Sequence, residues 1–287
     1  MKGTLLQEMD YGGLSFLWSY RNWSQQDFEG YYHWHRGFEV LAVHQGHGSV
    51  TVNQKTYELK PGMLFYFQPY QLHNVYVEVD ESRPYERSVF HFDPVFMKGY
   101  LRTFPALYDV YKRMLQGLIT LQGIDMIDCN EELNAACSAF QNSLLASSAS
   151  SKEEQSALYL LKVLSLIKRK VIPGPKQEEY MKPIRQSERV MAWIENHYGE
   201  PFQLELLADE LHMSKSYLSR LFRQETGSSI TGYMTARRMQ QACNLLQTTN
   251  KSVEVIGEQV GFTSTSYFIS LFKRIMGVSP HQYRLRL

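Results

Sequence analysis

The chain has 287 residues, 44% of them hydrophobic and 21% charged, which is enough to bury one large core or two smaller ones and excludes disorder as its main state. Its 30 Lys and Arg against 29 Asp and Glu leave +1, so total charge alone gives no sign of a polyanionic partner. Three cysteines, Cys129, Cys137 and Cys243, without paired spacing argue against a disulfide framework or a thiolate zinc site; with no apolar leader and no membrane-length apolar run, the expected location is cytoplasmic.

The first third is rich in aromatics, with 23 of the 38 lying between Phe16 and Tyr111. From Phe38 to Val79, short apolar runs (FEVLAV, SVTV, MLFYF, VYVEV) alternate with Gly, Asn and Pro turn signals. That is the pattern of antiparallel strands in a sandwich or barrel, and residues 14–96 are predicted to be mostly β. After Pro105 the apolar period lengthens to about 3.6. Leu107, Tyr111, Met114 and Leu118 form one stripe and Leu133, Cys137, Phe140 and Leu144 a second. Beyond the SSASS run at 147–151, Ala157, Leu161, Leu164 and Ile167 form a third. Residues 105–170 are therefore predicted as helices that cover the β part or lend apolar surface to a dimer seam. Residues 171–183, VIPGPKQEEYMKP, read as a linker. Charge divides near it: residues 1–180 carry 17 basic and 20 acidic side chains and residues 181–287 carry 13 and 9, so the basic surplus is C-terminal.

The C-terminal part repeats itself at about fifty residues. Leu204-Glu-Leu-Leu-Ala-Asp-Glu-Leu-His-Met matches Val253-Glu-Val-Ile-Gly-Glu-Gln-Val-Gly-Phe in apolar character, and Tyr217-Leu-Ser-Arg-Leu-Phe-Arg matches Tyr267-Phe-Ile-Ser-Leu-Phe-Lys. Gly227 then meets Gly277, and Tyr233 meets Tyr283. Each copy reads as a short helix, a turn and a second helix. Ala208 and Gly257 are small enough for a close crossing, and Ser214 and Thr263 or Ser264 are suited to N-caps. With Leu218, Leu221 and Phe222 turned inward, and Phe268, Leu271 and Phe272 likewise, the outer faces carry Ser216, Ser219, Arg220 and Arg223 in one copy and Thr265, Ser266, Ile269, Ser270 and Lys273 in the other. Hydroxyls and cations on a solvent face are what base-edge or phosphate contacts in a major groove require. Residues 231–247 read as one helix between the two units.

IGEQVGFTSTSYFISLFKRIMGVSPHQYR, residues 256–284, resembles the signature of AraC/XylS-type transcription regulators, and the resemblance covers residues 184–286. Gly257 stands where Ala is commoner. The resemblance implies a seven-helix domain, 184–287, that places both second helices in adjacent major grooves of double-stranded DNA, with phosphate contacts from Arg237 and Arg238. It also implies a homodimer and, for an activator, RNA polymerase as a further partner.

In the N-terminal part, His33-Trp-His-Arg-Gly-Phe-Glu39, with a glycine at 46, resembles the first motif of the cupin barrel, and Pro61-Gly62 followed by QPYQLH to His73 resembles the second. The expected fold class is thus α+β in two domains: a cupin-like barrel over 1–104 with the helical segment, and an all-α reader. Alternate residues of a strand share a face, so His33 and His35 can project together, with Glu39 on the same parity. Three imidazoles and a carboxylate suit Fe, Mn, Ni, Zn or Cu. Regulators resembling this one often keep the motif without a metal, so none is expected, and His33, His35, Glu39 and His73 are the candidates if one binds. The expected effector is a small molecule, by resemblance a sugar, held by His33, Trp34, His35, Glu39, His73, Arg87 and His91, with Trp18, Trp34 or Tyr66 able to stack on it. His44 and His47 are expected to be solvated turn residues. The competing reading is a metal-dependent cupin enzyme or metal sensor with a DNA-binding tail. No nucleophile-and-base arrangement and no phosphate-binding glycine loop is present, so neither an enzyme nor a cofactor is expected.

Overall fold

The alternating apolar and turn segments form eight strands, β1 (Phe16–Ser24), β2 (Phe28–Glu29), β3 (Phe38–Gln45), β4 (His47–Val52), β5 (Lys55–Leu59), β6 (Met63–Phe67), β7 (His73–Glu78) and β8 (Tyr85–Phe92). The computed structural model describes residues 7, 9–24, 28–29, 32–52, 55–69, 71–79, 84–171, 186–226 and 228–285. Pairing is antiparallel throughout and gives two sheets. One runs β1-β8-β3-β6 and ends on a short ninth strand, β9 (Gly123–Asp125); the other runs β2-β7-β4-β5. The barrel is therefore two facing sheets, with an isolated bridge between His33 and His73. Their inner faces share a core of Leu41, Val43, Phe65 and Phe67 with Val50, Val52, Val75 and Val77.

The other face of the larger sheet is covered by α1 (Pro94–Leu101), α2 (Pro105–Leu115), α3 (Asn130–Ala146) and α4 (Ala149–Val171). Val40 and Ala42 of β3 join that helical layer while Leu41 and Val43 fill the inter-sheet core, which is why FEVLAV is apolar without alternation. Three features depart from the sequence reading. Residues 94–101, expected within the barrel, are helical, started by Asp93, whose Oδ1 accepts from Val95 N at 2.8 Å. Within the segment expected to be helical, β9 completes the sheet by pairing with β6. Three residues are too few to show a period. Leu118, assigned to the first stripe, lies beyond α2 and is 62% exposed.

The C-terminal region folds as α5 (Gln186–His197), α6 (Leu204–Glu210), α7 (Lys215–Thr226), α8 (Ile230–Thr248), α9 (Val253–Gln259), α10 (Thr265–Met276) and α11 (Pro280–Leu285). The repeat appears as equal elements, α6 matching α9 and α7 matching α10 in length. Ser214 Oγ accepts from Tyr217 N and Ser264 Oγ from Tyr267 N, both at 3.3 Å, so Ser264 rather than Thr263 caps the second copy. A Cβ on Gly257 would lie 2.9 Å from the Phe268 ring, so the crossing of α9 and α10 is as close as the small residue suggested. The expected linker, beyond Val171, and Gly227 lie outside the described residues.

The two regions touch. Tyr32, Trp34 and Leu72 are buried in the same apolar cluster as the helices from α5 onward, and Arg36 Nη2 donates to the Ile275 carbonyl in the last turn of α10 at 2.6 Å.

Candidate functional site

On α7 the buried side chains are Leu218, Phe222 and Thr226, and on α10 they are Phe268, Leu271, Phe272 and Met276. The opposite faces expose Ser216, Arg220 and Arg223, and Ser266, Ser270 and Lys273; Ser219 and Thr265 are half-buried at their edges. Two tyrosines that repeat alignment paired, but that were not singled out as contacts, stand on these faces: Tyr217 is 44% exposed and Tyr267 57%. The Arg220 guanidinium lies 5.9 Å over the Tyr217 ring. Large exposed aromatics at matched positions of a repeat were the available signal.

Arg237 and Arg238, expected to contact phosphates, are committed inside the domain. Arg237 Nε donates to both carboxylate oxygens of Glu195, at 2.6 and 2.8 Å, and its guanidinium stacks 4.5 Å over Tyr198. Arg238 donates to the carbonyls of Tyr198 and Glu200, at 2.8 and 2.6 Å, and lies over Phe262 of the second turn. Both guanidinium groups tie α8 to the end of α5, and the second also reaches the α9–α10 turn. Each guanidinium keeps further N–H donors and is half-buried, so any phosphate contact would be made alongside these internal partners.

At one end of the sensor, His35, Glu39 and His73 are buried and converge with half-buried His33 and His91. His35 Nε2 is 2.7 Å, His91 Nε2 3.2 Å and His73 Nε2 3.3 Å from the same oxygen, Glu39 Oε2. The first is an aligned hydrogen bond. Phe67 stacks on the His73 ring at 3.9 Å. Burial opposes ionisation of Glu39, but the charge of His91 and the hydrogen bond from His35 outweigh it and hold the carboxyl well below the usual carboxylate range. Burial, only partly offset by Glu39, holds the His35 imidazole below its ordinary value.

Of the seven expected effector contacts, five therefore meet and two do not. Trp34 faces the DNA-binding region. Arg87 shares the inner face of β8 with His91, as the alternation predicted, but four residues along a strand is about 13 Å. Its guanidinium donates to Ser24 Oγ and lies 4.5 Å over both Phe28 and Tyr85. The other aromatics suggested for stacking are also engaged. Trp18 packs on Phe140 and Tyr159 of the helical layer, and Tyr66 is fully buried with its hydroxyl on the Ile119 carbonyl. His44, expected in a solvated turn, is on β3 and bridges Asn134 Oδ1 and Ser88 Oγ at 2.9 and 2.7 Å. His47 is exposed at the start of β4.

A two-sheet sensor carrying a buried polar cluster, joined to tandem helix-turn-helix units with exposed polar faces, defines a ligand-binding, DNA-binding transcription regulator. A model of the AraC-like ligand binding domain matches residues 19–212 and one of a helix-turn-helix domain matches residues 207–286. The chain belongs to the AraC family, whose members are transcriptional regulators and not enzymes. It is 26% identical to the arabinose operon regulatory protein of Salmonella typhimurium over 87% of this chain and 84% of that protein. It is also 26% identical to the uncharacterized HTH-type transcriptional regulator YfiF of Bacillus subtilis over 88% of this chain and 78% of that one. Among solved structures, the C-terminal domain of AraT, a response regulator from Geobacillus stearothermophilus, is 38% identical over 35% of this chain and 84% of that one, with a TM-score of 0.34. Among the described residues no helix is long and apolar enough to cross a membrane.

Proposed function

We propose that this regulator reads a specific double-stranded DNA site with α7 and α10 in successive major grooves, and that the state of the sensor sets how firmly the second unit is held. The observation that carries the reading is the segment 32–36. Its side chains alternate between two environments: His33 and His35 enter the polar cluster, whereas Tyr32 and Trp34 join the apolar cluster of the DNA-binding region and Arg36 bonds the end of α10. A ligand that moves the first set must strain or relieve the second. A coupling of about 1 to 3 kcal/mol would change DNA affinity some 5- to 150-fold. In fluorescence anisotropy on its own upstream region, Arg36→Ala is expected to raise the affinity of the ligand-free chain at least about 5-fold; unchanged affinity would sink the coupling.

The sugar effector expected from the family draws support from the similarity to the arabinose operon regulatory protein. Against it stand Trp18, Trp34 and Tyr66, each occupied elsewhere. An effector small enough for the imidazole–carboxylate end fits better. Pairing into a homodimer would use the outward side of α3 and α4, where Leu145 and Leu158 are 77% and 58% exposed. Leu145→Glu should then give a monomer in sedimentation. Family membership supports activation, with RNA polymerase as a further partner, and a run-off transcription assay decides between that and repression.

A further inference from the structure

Three cavities run along the seam where the sensor meets the reader, and they differ in charge. In one, Arg237 stands with its partner Glu195. A second holds both Arg36 and Asp93. The third, of about 340 Å³, lies between α1 and α2 on one side and the end of α8 with α11 on the other. It carries Lys98, Lys112 and Arg284, and no carboxylate among the described residues lines it. Arg284 Nη2 donates to the Lys251 carbonyl at 2.5 Å, but its Nε is closed to solvent and has no hydrogen-bond partner. A shielded guanidinium N–H without an acceptor costs free energy that an oxyanion in the cavity would offset. Lys98 is half-buried on α1, and its ammonium makes no hydrogen bond or ion pair among the described residues. Lys112 meets the exposed Asp109 at a loose 3.9 Å and lies 5.5 Å over the Tyr108 ring. The hydroxyls of Thr248 and Thr249 are spent on the carbonyls of Asn244 and Leu245, so contacts to an anion fall to the three cations.

We propose that this cleft binds a phosphate monoester of a small, flat molecule, at a site separate from the imidazole–carboxylate end of the sensor. A phosphate monoester carries about −1.5 to −2 charges near pH 7 and three strong acceptor oxygens. That matches one ammonium without a partner, one loosely paired and a guanidinium N–H lacking an acceptor, whereas a carboxylate brings a single charge and two oxygens. The body of the ligand would lie against Tyr108, Leu115 and Leu246, which give the cleft an apolar wall. A cavity of this size with an apolar wall and a few convergent polar groups is what a small ligand needs. Lys98 and Lys112 belong to the sensor and Arg284 to the reader, so a bound phosphate bridges the two and adds to the Arg36 contact that holds them together. Its effect on DNA binding rests on the proposed coupling, under which the ligand lowers DNA affinity, whereas the binding itself does not.

The test is isothermal titration of the full chain with phenyl phosphate, and with inorganic phosphate, benzoate and phenol beside it. Phenyl phosphate is expected to bind once per chain with a Kd below about 1 mM, at least about 10-fold more tightly than inorganic phosphate or benzoate, and phenol is expected not to bind. Lys98→Met and Arg284→Met should each weaken binding at least about 10-fold, and Lys112→Met, whose ammonium is more exposed, about 3-fold. Lys60→Met removes the same charge from the turn between β5 and β6 and should bind as the parent does. Circular dichroism shows whether each variant is folded. Absence of saturable phenyl phosphate binding overturns the site, and so does equal binding by the folded Lys98→Met and Lys112→Met variants. Benzoate bound as tightly as phenyl phosphate overturns the assignment of a phosphate. If phenyl phosphate binds as expected but leaves DNA affinity unchanged at saturation, the site stands and the sensor-to-reader coupling falls.

Discussion

The two helix-turn-helix units are built alike and equipped differently. Where α7 presents Arg220 and Arg223, the equivalent positions on α10 carry Ser270 and Lys273. A guanidinium presents a rigid planar fork to a guanine edge, whereas an ammonium is a flexible point charge and a hydroxyl a single donor, so if both helices enter the grooves as proposed the first unit would be the stronger base reader. The second unit is the more tightly anchored: Arg238 lies over Phe262 in its turn and Arg36 bonds the last turn of α10. The turns differ too. His212 adopts φ 56° in the first, and Gly261 adopts φ 89° in the second. Under the proposed function, the difference would divide labour within one repeat, with one copy discriminating sequence and the other receiving the sensor's signal.

The sharpest way to break this comparison is at the second turn. A Cβ on Gly261 would sit 2.5 Å from the Tyr198 carbonyl oxygen, in a backbone conformation that β-branched residues avoid. Gly261→Val should therefore cost about 3 kcal/mol of stability and abolish DNA binding. A thermal melt that matches the parent would show that this turn is not the constrained one.

Next in size is the reading face. Arg220→Ala is expected to cost about 1–3 kcal/mol of affinity at particular base positions, and Ser270→Ala distinctly less. Affinities measured across a randomised site would reverse the assignment if Ser270→Ala proved the more damaging. Smaller again, Arg238→Ala should lower stability by about 1–2 kcal/mol through its two carbonyl hydrogen bonds. The salt dependence of DNA binding should stay as it is if the role is internal; a slope shallower by about one would favour the phosphate contact expected from the sequence. The smallest expected effect is a gain. His212→Gly relieves a non-glycine left-handed residue, and a melt should show about 0.5–1 kcal/mol more stability with unchanged DNA affinity.

The reader was largely legible because its information is local. A repeat of apolar positions fixes which side of α7 and α10 turns inward, and that leaves Ser216, Arg220, Ser266 and Lys273 outward with no further input. Arg237 and Arg238 could not be placed that way. Their partners, Glu195 of α5 and the carbonyls of Tyr198 and Glu200 in the turn after it, lie some forty residues earlier, and nothing in a basic dipeptide says whether its charge is already met.

In the sensor, strand parity by itself put His33, His35 and Glu39 on one side and paired Arg87 with His91. Sequence also set the division of charge between the two parts and the twofold reader. Only tertiary structure decided that His91 meets Glu39 while Arg87 lies at the far end of the same strand face, that Trp34 belongs to the neighbouring domain's core, and that His44 is held by Asn134 and Ser88. The physical reason is range. Periodicity reports which way a side chain leaves its own backbone, whereas a binding site is a distance between backbones, fixed by sheet register and by the surface on which one domain packs against the other.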